Sequence, residues 1–238
     1  MINLPPALLI DLDDTILDTT PSADRNWLQT AERAHAKGID IDPTHFVTHM
    51  DDVREWYWSD PERSLIGRLN LEQARADMIT EALTRMNCSQ NIEPLARELQ
   101  QDFTANRIEV MQPLDGAIDA LKEIKNRGIK TALLTNGMGP TQRAKVIKFE
   151  LEQYFDGIYI EGEIGIGKPE PKLFKRVLAD LGVTEKDAWM IGDNLAWEVD
   201  APQKLGIKGI WLDWRKQGLP ADSEIIPDLI IHSLADLL

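Results

Sequence analysis

Leu8-Leu9-Ile10-Asp11-Leu12-Asp13-Asp14-Thr15-Ile16-Leu17 is the stretch on which the reading of the fold turns. An apolar run of strand length stops abruptly at three carboxylates within four residues, with a threonine next. Carboxylates crowded at a strand end repel one another, and keeping them ionised takes a bound cation or a neighbouring lysine. An ordinary strand entering an acidic surface turn reads the same way in isolation, so residues far downstream decide between the two.

From Met111 onward, apolar strand-like runs alternate with amphipathic segments. A helix is predicted over 116–127, with Ala117, Ile118, Leu121 and Ile124 on one face and Gly128 as its stop. A strand over 130–135 ends in Asn136-Gly137. A helix over 140–149 and a short strand near 157–160 follow. After the Gly165–Pro171 loop, Leu173, Phe174, Val177, Leu178 and Leu181 mark a helix over 171–181, stopped by Gly182. Strands are predicted over 187–192, 207–212 and 228–231, with a helix over 195–205. Strands separated by helices of about ten residues imply βαβ units and a parallel sheet.

The first strand, over 7–11, is cut off from the others by a different texture. From about 21 to 107 the chain reads as helix after helix, with no convincing strand. One helix is predicted over 22–36 with Ser22 as its N-cap, one over 71–86, and one over 94–109 with Pro94 in its first turn. The fold class is therefore α/β, a Rossmann-like parallel sheet core with an inserted all-helical cap subdomain. Residues 1–17 and 108–238 form the core domain and 18–107 the insertion, which is long enough to fold as its own subdomain. In an open parallel sheet, ligands sit at the carboxyl ends of the strands near a topological switch point. Asp11, Thr135 and Asp193 each occupy that place in their own strands.

The 238 residues can bury a large core, and 43% hydrophobic with 28% charged residues is a globular composition. No apolar run approaches the roughly 18 residues needed to span a bilayer, and the N-terminus does not read as a secretory signal. A single cysteine, Cys88, excludes an intrachain disulfide and points to a reducing, cytoplasmic setting. A net charge of −14 argues against a nucleic-acid partner, and it repels small anions unless local cations reverse the field; with no spanning run, no membrane partner is expected either. The histidines have no zinc-ligand spacing. Oligomeric state is not legible.

Four groups converge if the sheet forms: the Asp11/Asp13 pair, Thr135-Asn136, Lys168 in Gly165-Ile166-Gly167-Lys168-Pro169, and Gly192-Asp193 with Glu198 beyond. Three carboxylates around one point suit a hard cation with oxygen ligands, most naturally Mg²⁺. A hydroxyl, a backbone N–H turn and a lysine suit the three non-bridging oxygens of a phosphate. An aspartate in line with phosphorus can act as a nucleophile, and a carboxyl two residues along can move the proton.

In these residues the chain resembles the haloacid dehalogenase superfamily, in its branch of phosphohydrolases with a helical cap after the first motif. Asp11-Leu12-Asp13-Asp14-Thr15 matches the first motif, Leu133-Leu134-Thr135-Asn136-Gly137 the second, Gly167-Lys168-Pro169-Glu170-Pro171 the third, and Gly192-Asp193 through Glu198 the fourth. The resemblance spans essentially the whole chain. It implies Asp11 as nucleophile and Asp13 as general acid/base. Thr135, Asn136, Gly137 and Lys168 would hold the phosphoryl group, with Thr135 and Lys168 also serving catalysis. Mg²⁺ would be held by Asp11, the Asp13 backbone carbonyl, Asp193 and Glu198. Glu198 replaces the commoner aspartate, and Asp200 is the nearby alternative.

Asp13 favours phosphoryl transfer over carbon–halogen cleavage, in which no leaving oxygen needs a proton. A small phosphorylated metabolite is the expected substrate and a phosphatase the expected enzyme. A phosphomutase is the alternative, ahead of a dehalogenase or a non-catalytic binding protein. Asp14 and Asp18 read as surface or turn carboxylates beside a functional motif. Substrate choice is expected in the insertion. There Trp56-Tyr57-Trp58 forms either an apolar wall for the leaving group, with Arg54, Arg63 or Arg68 on its anionic part, or the insertion's own core.

Overall fold

The computed structural model describes residues 2–60, 62, 63, 67 and 70–238. In chain order the elements are β1 (Ala7–Ile10), then helices α1 (Thr19–Ala36), α2 (Pro43–Ser59), α3 (Leu71–Arg85) and α4 (Ile92–Asn106). Next come α5 (Ala117–Asn126), β2 (Lys130–Thr135), α6 (Gly139–Lys148), β3 (Gly157–Ile160) and α7 (Pro171–Leu181). The chain then forms β4 (Ala188–Gly192), a π-helical turn (Leu195–Asp200), β5 (Lys208–Leu212) and β6 (Leu229–Ile231). Two compact units result, Met1–Thr19 with Gln112–Leu238, and Thr20–Met111.

In the first unit the six strands form one parallel sheet in the order β3-β2-β1-β4-β5-β6. β1 lies between β2 and β4, with Leu9 opposite Ala132 on one side and Met190 on the other. Every residue of β1 is fully buried, as a central parallel strand covered on both faces must be. Side-chain alternation divides its work. Leu8 and Ile10 enter a core layer with Leu121, Ile124 and Leu133, while Ala7 and Leu9 enter one with Phe174, Val177 and Met190. After β1 the chain runs outward to β2 and β3, then returns to β4 on the opposite side, so the switch point lies between the ends of β1 and β4.

The second unit is helical and surrounds its own core of Trp27, Phe46, Met50, Val53, Tyr57, Ile79, Leu83 and Phe103. Trp27 stacks on Phe103 with ring centroids 3.7 Å apart and meets Phe46 edge-on at 6.3 Å. The helical unit is inserted into the chain after the β1–Asp11 segment, between Thr19 and Gln112. Among the described residues no helix is long and apolar enough to cross a membrane.

Three local readings of the sequence are corrected. α1 begins at Thr19, not after Ser22: the Thr19 N–H donates to Asp14 Oδ1 at 2.8 Å, and Ser22 is buried within the helix. α2 was not singled out by periodicity, although Asp42 caps it by accepting from the His45 N–H at 2.8 Å and Pro43 opens its first turn. The helix expected over 195–205 starts as the π-helical turn, in which the Ala201 N–H reaches back five residues to the Ala196 carbonyl. Pro202 has no N–H to give Glu198, so the regular ladder cannot run through this turn.

Candidate active site

Asp11 is the first residue beyond β1, and its N–H still donates to the Ile191 carbonyl of β4 at 3.0 Å. This bond fixes the carboxylate at the switch point, where it is buried. Lys168 Nζ lies between two acids, donating to Asp11 Oδ1 and, at 2.6 Å, to Glu198 Oε1. Lys168 and Glu198 side chains are each 2% exposed. The second Glu198 oxygen accepts from the Asn194 N–H at 2.7 Å. The close turn that admits Glu198 requires Gly192, where a Cβ would come within 2.1 Å of Glu198 Oε2.

Asp13 turns to different partners. Lys145 Nζ of α6 donates to both its oxygens, at 2.7 and 2.8 Å, and Gln142 Nε2 donates to Oδ2 at 2.9 Å. Gln142 also donates to the Thr135 hydroxyl at 2.5 Å. Lys145, Gln142 and Thr135 are all buried. Burying an ammonium is costly unless it is paired, and Asp13 supplies a two-oxygen partner. The sequence reading missed both residues of α6. The signal lay in their placement three apart, just after the Thr135-Asn136-Gly137 turn and beside buried Val146.

Asn136 and Gly137, expected as phosphate ligands, both have protein partners here. The Asn136 amide forms a reciprocal pair with the Lys168 backbone, accepting from its N–H at 2.8 Å and donating to its carbonyl at 2.7 Å. The Gly137 N–H donates to Glu161 Oε2 at 2.9 Å. The same carboxylate leaves no room for a side chain at residue 167, where a Cβ would lie 2.6 Å from Glu161. Asn136 therefore aims the Lys168 loop, and Glu161 fills the donor of the turn.

The remaining acids sort cleanly. Asp18 is buried and accepts from the Gln112 N–H at 2.8 Å, joining the segment that leaves the sheet unit to the one that returns. Asp14 accepts from Thr19 and lies 3.8 Å from Arg215. Asp200, the alternative to Glu198, pairs with Lys204 at 2.5 Å instead. In the helical unit Tyr57 is core, Trp58 packs against that core, and Trp56 is exposed with Arg63 stacked 3.9 Å from its centroid. Arg54 is paired with Asp24 and Asp51 at 2.7 Å, and Arg68 lies outside the described residues.

Asp11, Asp193 and Glu198 each offer one oxygen, and these atoms lie within 4.8 Å of one another. Burial, the Glu198 charge and that of Asp13 push Asp11 up to about 7, against the pull of Lys168. Burial and the charges of Asp11 and Asp14 push Asp193 up to about 7. Glu198 is also raised, chiefly by burial. Burial alone would depress Lys168, but Asp11 and Glu198 outweigh it and hold the ammonium above the ordinary lysine range. One lysine against three carboxylates leaves an excess of negative charge, which fits a hard divalent cation such as Mg²⁺.

Because such a cation displaces protons from Asp11 and Asp193, Mg²⁺ affinity should fall at least about tenfold between pH 8 and pH 6. Titration calorimetry at the two pH values measures this, and equal affinities would contradict it.

A cleft of about 140 Å³ opens beside Asp193, lined by Trp211, Leu212, Asp213, Trp214, Arg215 and Gln217. A carboxylate cluster with a buried lysine, and a separately held carboxyl two residues from the first acid, define a phosphohydrolase-type centre at the switch point of a parallel sheet. A family model described as haloacid dehalogenase-like hydrolase matches residues 5–206. The chain belongs to this family, and it is a phosphatase within it. It is 39% identical to a phosphoserine phosphatase of Thermus thermophilus over 97% of this chain and 96% of that one. It is 25% identical to a glyceraldehyde 3-phosphate phosphatase of Pyrococcus furiosus over 97% and 90%. The fold is shared with the magnesium-bound HAD-hydrolase YfnB of Bacillus subtilis, with a TM-score of 0.74, 21% identity and coverage of 99% and 97%.

Proposed function

We propose that the protein hydrolyses small phosphomonoesters through an aspartyl-phosphate on Asp11. The observation that carries this is the division of labour between the two acids: Asp11 sits against Lys168 in the carboxylate cluster, whereas Asp13 is held apart by Lys145 and Gln142. Asp11 attacks phosphorus while the ester P–O bond breaks, and Asp13 gives its proton to the departing oxygen. Water then attacks the phosphorus and passes a proton to Asp13, releasing phosphate and restoring Asp11.

Lys168 and the Thr135 hydroxyl bind phosphoryl oxygens in this reading. Asp11, Asp193, Glu198 and the Asp13 carbonyl would hold one Mg²⁺, which when bound would offset the phosphate charge. Residues 1–17 and 108–238 serve as the catalytic domain and the helices between them as its cap. The lone Cys88 supports a reducing, cytoplasmic setting.

The 39% identity to a phosphoserine phosphatase and the small cleft beside Asp193 support O-phosphoserine as the first substrate to try, ahead of bulkier esters. Hydrolysis is preferred to mutase chemistry because both relatives named above are phosphatases. A panel of phosphorylated metabolites assayed for phosphate release tests both points. Release should require Mg²⁺, stop in excess EDTA and be fastest with small alkyl phosphates; undiminished release in EDTA would refute the metal requirement.

A further inference from the structure

From the α6 contacts we infer that Lys145 and Gln142 are positioning residues for proton transfer, acting on the leaving group through Asp13. This rests on the phosphatase reading and adds to it two residues outside the four motifs.

The geometry is specific. Asp13 projects from a turn after β1, and its side chain is one-third exposed. A carboxylate so placed has several rotamers open to it, and proton transfer requires it within hydrogen-bond reach of the ester oxygen. Lys145 grips both its oxygens, and Gln142 ties one of them to Thr135, the hydroxyl proposed to bind the phosphoryl group. Gln142 and Lys145 lie on one buried face of α6, one turn apart, so the helix sets the spacing between proton donor and phosphoryl site as a rigid rod. Neither side chain is needed to balance Asp11, which has Lys168. A lysine kept only for stability would be a poor choice at a fully buried helix position, since its pairing at best offsets desolvation.

The balance of the step shows what should depend on them. When Asp11 attacks, the ester oxygen leaves with the bonding pair and takes the Asp13 proton, so an alcohol departs and Asp13 is left as a carboxylate facing Lys145. A p-nitrophenolate leaves without needing that proton. Misplacing Asp13 should therefore harm alkyl esters selectively, and kcat/KM reports the steps through departure of the leaving group whichever half-reaction limits kcat.

The test compares wild type, Lys145→Met and Gln142→Leu, with saturating Mg²⁺, on p-nitrophenyl phosphate and on the best alkyl phosphate of the panel. Lys145→Met should lower kcat/KM for the alkyl ester at least about 50-fold, in the range of general acid catalysis, and for p-nitrophenyl phosphate less than about fivefold. Gln142→Leu should show the same selectivity at smaller amplitude, and it carries the test if Lys145→Met does not fold. In an Asp13→Ala background the Lys145→Met change should add less than about a twofold loss, because its route of action is gone. Equal losses on the two esters, no loss on either, or a full additional loss in the Asp13→Ala background would overturn the inference while leaving the phosphatase reading intact. A wild-type enzyme inactive on every ester would overturn that reading, and the inference with it.

Discussion

Asp11→Asn is expected to lower turnover by at least about four orders of magnitude while leaving the protein folded. The amide cannot attack phosphorus, and no other carboxylate of the cluster stands at the end of β1 with its N–H bonded into the sheet. Stability should move the other way. The Asp11 carboxyl is raised from near 3.8 to about 7, so the folded state takes up a proton between those values that the unfolded state does not. Its contribution to stability is therefore least favourable above pH 7 and improves as the pH falls through that window. A neutral amide removes this penalty. Without Mg²⁺ at pH 8 the variant should melt at or above the wild-type temperature, and at pH 5 the difference should shrink. A variant that retains a tenth of wild-type turnover would end the nucleophile assignment.

Lys168→Met should be less damaging to activity than Asp11→Asn but, unlike that variant, damaging to the fold. The lysine lies buried between Asp11 and Glu198, and removing it leaves two carboxylates, with Asp193 beside them, without their cation. Breaking a buried pair by deleting one partner costs about 3–5 kcal/mol. Loss of a fixed positive group at the phosphoryl oxygens costs a further factor of about 10²–10³ in kcat. Saturating Mg²⁺ should recover part of the lost stability, because it binds the folded cluster and supplies the missing charge, but not the lost rate. Chemical denaturation with and without Mg²⁺ measures the first effect, and phosphate release the second. Unchanged stability in the absence of metal would show that the carboxylates do not depend on Lys168.

The strand ends were legible in the sequence for a simple reason. In a parallel sheet covered on both faces the strands are unbroken apolar runs, so Asp11, Thr135 and Asp193 stand out as the points where the apolar runs give way to polar residues. Lys168 was legible through its glycine and proline neighbours. Gln142 and Lys145 were not, because on a helix a polar side chain reads as solvent-facing, and only the fold shows that this face of α6 looks onto Asp13. The partners of Asn136 and Gly137 were hidden for a related reason: nothing in the second motif announces that the Asn136 side-chain amide meets the Lys168 backbone and the Gly137 N–H meets Glu161. The π-helical turn escaped periodicity because it depends on Pro202, which removes one N–H from the ladder and leaves the turn wide around Glu198. The start of α2 was written in Asp42-Pro43 and could have been read.

Glu198 illustrates how burial changes a reading made from spacing. Counting along the fourth motif leaves both Glu198 and Asp200 available. The structure separates them, with Glu198 buried against Lys168 and Asn194 and Asp200 paired with Lys204. Gly192 makes this possible, since any side chain there would collide with the Glu198 carboxylate.

Transfer of the phosphoryl group to Asp11 is tested by borohydride reduction during turnover. An acyl phosphate is reduced to an alcohol, which converts the modified aspartate to homoserine and can be located by peptide mass mapping. Homoserine is expected at position 11 in wild type mixed with Mg²⁺ and substrate, and none without substrate. Active enzyme with unmodified Asp11, or with homoserine at another position, would contradict it.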